Sequence, residues 1–152
     1  FCYLHLVTDA FSRMIIGYVL APTLEAKYTI EALQQAISHA GSGNLCGTIH
    51  HSDRGVQYCC DEYISQLKEH HIRISMTEDS NPTDNGMAER VNGIIKNEFL
   101  EPLQTPKNLL EALPLVDHAV RTYNTLRPHL NLNMRTPAQV YEENNNFQKL
   151  KV

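Results

Sequence analysis

The sequence has no tryptophan, few other aromatic residues and no run of eighteen apolar residues. A helix that crosses a bilayer needs about 20 consecutive apolar residues, so a membrane span is excluded. The first residues also lack the charged and then apolar pattern of a secretion signal. We therefore expect a cytoplasmic protein with no membrane partner.

The sequence also lacks the spacing of a structural metal site or a disulfide framework. Its cysteines are Cys2, Cys46, Cys59 and Cys60, and we expect them to be free thiols. The pair His50-His51 invites a zinc interpretation, but neighbouring residues of a strand point to opposite faces. We therefore do not expect zinc there.

A basic excess, typical of proteins that coat nucleic acid, is absent, since the net charge is −4. The charge is uneven along the chain. Residues 1–89 hold 5 basic and 11 acidic side chains, whereas residues 90–135 hold 6 basic and 4 acidic ones. Carboxylates that bind cations would make the first part negative, so a DNA partner is compatible with this charge. An ordinary acidic protein is equally compatible.

The order of apolar patterns predicts an α/β fold in a single domain over residues 1–152. Two β-branched runs, 1–7 and 14–21, flank a turn and should form an antiparallel hairpin. Alternating helices and strands follow, which predicts a mixed sheet with parallel strands after the hairpin and helices on both faces. These later elements are a helix at 23–40, a strand at 46–51, a helix at 61–70 and a strand at 72–76. Further helices should begin near positions 87, 109 and 137, the last one with Thr136 as its cap. The last ten or so residues read as a tail.

The stretch from 48 to 99 holds the candidate site. Asp53 follows a predicted strand, and Glu89 lies on the first turns of a helix after a polar loop at 77–86. Thirty-five residues lie between the two acids, enough for a helix, a strand and a loop to bring the chain back to the same sheet edge. Each acid alone is more simply a structural or solvated residue. Together they fit a two-ion Mg²⁺ site for phosphodiester chemistry.

Four motifs follow one another in the chain between positions 51 and 138. They are His51-Ser52-Asp53-Arg54-Gly55, Asn81-Pro82-Thr83-Asp84-Asn85-Gly86-Met87-Ala88-Glu89, Tyr123-Asn124-x-x-Arg127-Pro128-His129 and Thr136-Pro137-Ala138. The motifs resemble the catalytic core of bacterial insertion-sequence transposases, the branch closest to retroviral integrases. The resemblance implies a ribonuclease-H-like fold and a D-D-E polynucleotidyl transferase. Such an enzyme nicks DNA ends and joins the freed 3′-hydroxyl to a target strand.

The resemblance also implies roles for individual residues. Asp53 would be the second metal-binding acid and Glu89 the third, with Mg²⁺ or Mn²⁺ in a two-ion site. Lys96 falls where the family contacts a DNA end, and Arg90 and Arg127 are further DNA-binding candidates. Transposon ends and target DNA would be the partners, bound by at least a homodimer in a bacterial cytoplasm.

The first acid departs from the family pattern. In the family it lies one strand before the first strand of this chain, so we expect that strand and its Asp upstream of Phe1. Asp9 is a weaker substitute, because its Asp-x-x-Ser-Arg setting is typical of a hairpin turn. We therefore expect the 152-residue chain by itself to be inactive and to bind Mg²⁺ or Mn²⁺ weakly.

Two alternatives remain open at this point. One is a non-catalytic remnant that serves as a DNA-scaffolding or dimerising module. The other is a nuclease of the ribonuclease H type, although the Arg-Pro-His and Thr-Pro-Ala segments do not belong to that group.

Overall fold

The helices and strands follow one another in the predicted order. The computed structural model describes residues 1–77, 86–101 and 105–149. The elements are β1 (Tyr3–Thr8), β2 (Ile15–Ala21), α1 (Ala26–Ala40), β3 (Ile49–Ser52), α2 (Val56–Cys59), α3 (Asp61–Glu69), β4 (Arg73–Met76), α4 (Gly86–Ile94), a π-helical segment (Ile95–Leu100), α5 (Leu109–Thr125) and α6 (Pro137–Lys149). None of the helices described is long and apolar enough to cross a bilayer.

The strands pair into two ladders among the described residues. β1 and β2 form the antiparallel hairpin, and β3 and β4 lie parallel, with Ile49 opposite Arg73 and Ser52 opposite Met76. The prediction of an antiparallel hairpin followed by parallel strands is confirmed. Because β3 and β4 run in the same direction, their carboxyl ends share one edge.

The chain divides into two compact units, and the first comprises residues 1–7 and 16–90. Its core lies mainly between α1 and α3. The buried residues of this cluster are Ile30, Leu33, Ile37, Tyr63, Leu67 and Ile72. The α1 members recur at helical spacing, so the apolar stripe faces the core and polar residues face solvent.

A close approach between β2 and α1 requires glycine at position 17. A Cβ atom there would lie 2.1 Å from the carbonyl oxygen of Ala32 and 2.9 Å from the backbone nitrogen of Ala36. Both are backbone atoms of a helix, so neither can move aside without disturbing its hydrogen bonds. Gly17 therefore sets the distance between the strand and the helix.

The second unit comprises residues 8–15 and 91–152. Apolar residues of α4, the π-helical segment, α5 and α6 are buried in it, and they include Val91, Ile95, Val116, Val120 and Val140. α5 begins at its cap Asn108, whose side chain accepts a hydrogen bond of 3.0 Å from the Glu111 N–H. That bond satisfies one of the unpaired donors at the start of the helix.

The start of α6 follows the predicted Thr-Pro pattern. Thr136 Oγ1 accepts from the Gln139 N–H at 3.3 Å, and Gln139 Oε1 accepts from the Thr136 N–H at 2.9 Å. These reciprocal bonds form a capping box, with Pro137 at the first helical position. The predicted tail is helical as far as Lys149. Most of the predicted loop at 77–86 lies outside the described residues.

Candidate active site

Asp53 lies directly after β3, at the carboxyl edge of the parallel pair. Its Oδ1 accepts a hydrogen bond of 2.8 Å from the Gly55 N–H. The turn is tight, because a Cβ at position 55 would lie 2.9 Å from that same Oδ1. The short bond fixes the orientation of an exposed carboxylate, and no described residue donates to its second oxygen.

The residues on both sides of Asp53 bind the backbone of Thr77, the residue after β4. The Thr77 N–H donates to the Ser52 carbonyl at 3.1 Å. The Thr77 carbonyl accepts from Arg54 Nε at 2.8 Å. Because Thr77 is buried, these bonds tie the Asp53 turn to the end of β4.

Glu89 lies in the first turn of α4, and its side chain is exposed. The amino end of a helix carries unpaired N–H groups and a partial positive charge, so an anion there is stabilised. Arg90 follows it and is also exposed. Asp53, Glu89 and Arg90 all belong to the first unit. The Asn81 to Asn85 part of the second motif lies outside the described residues.

The donor set suits a hard divalent cation. Asp53 and Glu89 supply carboxylate oxygens, the ligands that Mg²⁺ prefers, and Mg²⁺ keeps several waters or substrate oxygens besides. Within the described residues, no group of three His, Cys, Asp or Glu side chains is arranged to hold a metal. Asp53 and Glu89 are each exposed, so each carboxylate is open to a cation from solvent.

Asp9, the substitute for the first acid, lies in the hairpin turn of the second unit. Its Oδ2 accepts from the Ser12 N–H at 2.8 Å and from the Ser12 hydroxyl at 2.5 Å. Its backbone also bonds to Met14 and to Arg13, which has a positive φ of 67°. The turn role predicted for Asp9 is confirmed.

Lys96 and Arg127, the two DNA-binding candidates in the second unit, differ in their surroundings. Lys96 lies on the π-helical segment with 72% of its side chain exposed and a loose contact of 3.8 Å to Glu101. The Arg127 guanidinium makes two bonds of 2.6 Å to the Glu98 carboxylate. This pairing lowers the pKa of Glu98 and raises that of Arg127. Lys96 is thus available to an anion, whereas Glu98 occupies the fork of Arg127.

Comparison with known proteins decides the family. A model described as "Integrase core domain" matches residues 1–82, and a second model with the same description matches residues 70–137. The first match covers more than half of the chain. This chain belongs to the integrase core domain family.

The curated relatives are transposases. One from Mycobacterium tuberculosis, named for the insertion sequence element IS986/IS6110, is 36% identical over 105 residues, which is 67% of this chain and 38% of the relative. Transposase InsF for insertion sequence IS3A from Escherichia coli K12 is 30% identical over 142 residues, which is 93% of this chain and 49% of that protein. This integrase core chain thus spans half or less of the length of these two relatives.

Among solved structures, the catalytic core domain of HTLV-2 integrase in complex with magnesium is similar to this chain. It has a TM-score of 0.69 and 28% identity, and the match covers 90% of this chain and 82% of that one. The integrase core of this protein therefore has the ribonuclease-H-like fold that the motifs predicted.

The Tyr-Asn pair of the third motif has a structural role that sequence reasoning missed. The Asn124 amide accepts from the Ile15 N–H at 3.0 Å and donates to the Ile15 carbonyl at 2.9 Å. The Tyr123 hydroxyl donates to the Arg13 carbonyl at 2.9 Å, and burial raises the pKa of Tyr123 to about 12. In this integrase core, α5 therefore holds the end of the hairpin turn that contains Asp9. The sequence signal for this role was a polar Asn on the buried apolar stripe of α5, because a buried amide needs hydrogen-bond partners.

The neighbouring histidines point to opposite sides of β3, as predicted. His50 Nε2 lies 2.8 Å from the Tyr63 hydroxyl, and burial lowers the pKa of His50 to about 4. His51 is exposed, with Nδ1 2.9 Å from Ser75 Oγ on β4. His50 is thus a half-buried residue that is neutral at physiological pH.

Proposed function

We propose that this chain is the catalytic core of an insertion-sequence transposase that cuts transposon ends and joins the freed 3′-hydroxyl to target DNA. The placement of Asp53 at the carboxyl edge of the parallel pair is the observation that carries the proposal. Family membership and the transposase relatives support it. They do not favour a ribonuclease H or a non-catalytic scaffold.

In this proposal Asp53 and Glu89 hold Mg²⁺ or Mn²⁺ in a two-ion site. Bound ions of this kind supply Lewis-acid stabilisation of the attacking and leaving oxygens of a phosphodiester. Asp53 provides a carboxylate fixed by its own turn, and Glu89 provides one on a helix whose amino end favours anions. The neighbour with bound magnesium, HTLV-2 integrase, supports a divalent cation.

DNA contacts complete the proposal. The exposed side chains of Lys96 and Arg90 bind phosphates directly, whereas Arg127 does so only when Glu98 releases it. The working complex contains at least two copies, which hold the two transposon ends and the target in the bacterial cytoplasm. Solved relatives include dimeric and trimeric forms of HTLV-2 integrase.

Transposition in cells tests the function. The gene that encodes this chain is expressed in cells from its own start codon. The same cells carry a marker gene that is flanked by the DNA ends of the insertion element. Asp53→Asn and Glu89→Gln should each reduce marker transposition to the level without transposase, because an amide is a poor ligand for Mg²⁺. Glu62→Gln, which neutralises an exposed acid of α3, is the matched control and should leave transposition unchanged. Normal transposition by either site variant would refute the proposal.

A further inference from the structure

We propose that Arg54 is a positioning residue of the metal site. Through its bond to Thr77, Arg54 holds the Asp53 turn against the end of β4. The inference rests on the proposed function, because the role of Arg54 is defined toward the cation that Asp53 binds. Arg54 itself touches neither the cation nor the substrate.

The two bonds to Thr77 carry the argument. Its N–H donates to Ser52, the residue before Asp53, and its carbonyl accepts from Arg54, the residue after it. Thr77 is 8% exposed, and the bond from Arg54 to its carbonyl is partly buried. A partly buried carbonyl that loses its donor costs stability. Asp53 thus lies between two residues that both bond to the backbone of Thr77, the buried residue that follows β4.

The direction of the Arg54 side chain supports a geometric role. Within the described residues Arg54 forms no ion pair with a carboxylate, Asp53 included. Its Nε instead reaches the Thr77 carbonyl at 2.8 Å. A cationic side chain beside a metal-binding carboxylate opposes cation binding by its charge. Its contribution to the site is therefore the fixed position of the turn.

Thr77 also precedes the segment that leads to Glu89. The two residues are twelve positions apart, and both belong to the first unit. Holding Thr77 beside Asp53 fixes where this connection starts. Partners that orient metal ligands in this way commonly change metal affinity by about 10 to 100-fold when removed.

Removal of the Arg54 charge separates the two explanations by sign. Arg54→Met removes both the charge and the N–H donor. If charge dominates, this variant binds Mn²⁺ more tightly than the wild type. If position dominates, it binds Mn²⁺ more weakly, by about tenfold. Arg54→Gln also removes the charge but keeps an N–H donor at the place of Nε, so it should recover part of the loss.

The experiment is a Mn²⁺ titration of the 152-residue chain, followed by paramagnetic broadening of its amide NMR signals. The variants are Arg54→Met, Arg54→Gln, Asp53→Asn and the matched control Arg73→Met. Arg73 is an exposed arginine at the opposite end of the same parallel pair, so its removal changes the charge equally. We expect wild-type affinity or slightly tighter binding for this control.

The outcomes are distinguishable. Weak binding by Arg54→Met, with partial recovery in Arg54→Gln and none of this loss in Arg73→Met, supports the inference. Binding by Arg54→Met that equals or exceeds the wild type overturns it, while Asp53→Asn still tests the metal site itself. Wild-type binding by Asp53→Asn overturns the proposed function instead. If Arg54→Met does not fold, Arg54→Ala replaces it, and Mn²⁺ binding by that variant that equals or exceeds the wild type overturns the inference.

Discussion

Replacement of Asn124 by Leu should destabilise the second unit strongly. The Asn124 amide bonds to both the N–H and the carbonyl of Ile15, a residue that is 3% exposed. Leu has a similar size but can pair with neither group. Each buried backbone group left unpaired costs about 1–3 kcal/mol, so the variant should lose about 2–6 kcal/mol. That is a large part of the roughly 5–15 kcal/mol by which a typical domain is stable.

Urea unfolding measures this loss. With a typical slope of about 1–3 kcal/mol per molar urea, the midpoint should fall by about 2 M. Asn92→Leu is the matched control, since Asn92 is exposed on α4, and it should change stability by less than about 0.5 kcal/mol. A loss below about 1 kcal/mol in Asn124→Leu, with an unchanged slope, would show that the Ile15 groups find other partners and that the reasoning fails.

Three further predictions concern packing and pH. Gly17→Ala should lower the free energy of unfolding by about 3 kcal/mol or more through overpacking. Gly93→Ala, whose Cβ meets nothing within 4 Å, should be neutral or stabilising by up to about 1 kcal/mol. Urea unfolding of both variants checks this, and similar stabilities would contradict it. Burial lowers the pKa of His50 from 6.5 to about 4, so unfolding takes up a proton between these values and wild-type stability should rise with pH by up to about 1.4 kcal/mol per unit. His50→Phe should flatten that rise when the free energy of unfolding is measured from pH 4 to 6.5, and an unchanged slope would count against a neutral buried His50. Arg127 lowers the pKa of Glu98, so their pairing stabilises the fold above the ordinary Glu pKa. This stabilisation is lost as the pH falls through the lowered pKa of Glu98. Arg127→Gln should therefore remove part of the loss of stability below about pH 4.5, measured by the same unfolding experiment.

The features that depend on local sequence could be predicted. The apolar stripe of α1, the β-branched runs of the hairpin and the Thr136 cap each arise from residues a few positions apart, so periodicity and turn chemistry reveal them. The position of Asp53 after a strand was visible for the same reason. The Ser-Asp-Arg-Gly sequence also favours the observed turn, because Asp side chains accept from the N–H two residues on.

The features that depend on distant contacts could not be predicted. Asn124 and Ile15 are 109 residues apart in the sequence, and Arg127 and Glu98 are 29 apart. Nothing in the local pattern of Arg127 distinguishes a phosphate ligand from the partner of a carboxylate. The Arg54 bond to Thr77 was hidden too, since it requires the parallel register of β3 and β4.

The most direct test of the metal site is a crystal of this chain soaked with Mn²⁺ and measured at an anomalous wavelength. We predict manganese bound by carboxylate oxygens of both Asp53 and Glu89, either as one shared ion or as two ions about 3.5–4 Å apart. Manganese that contacts neither carboxylate, or ions at Asp53 and Glu89 much farther apart than that, would contradict a joint site.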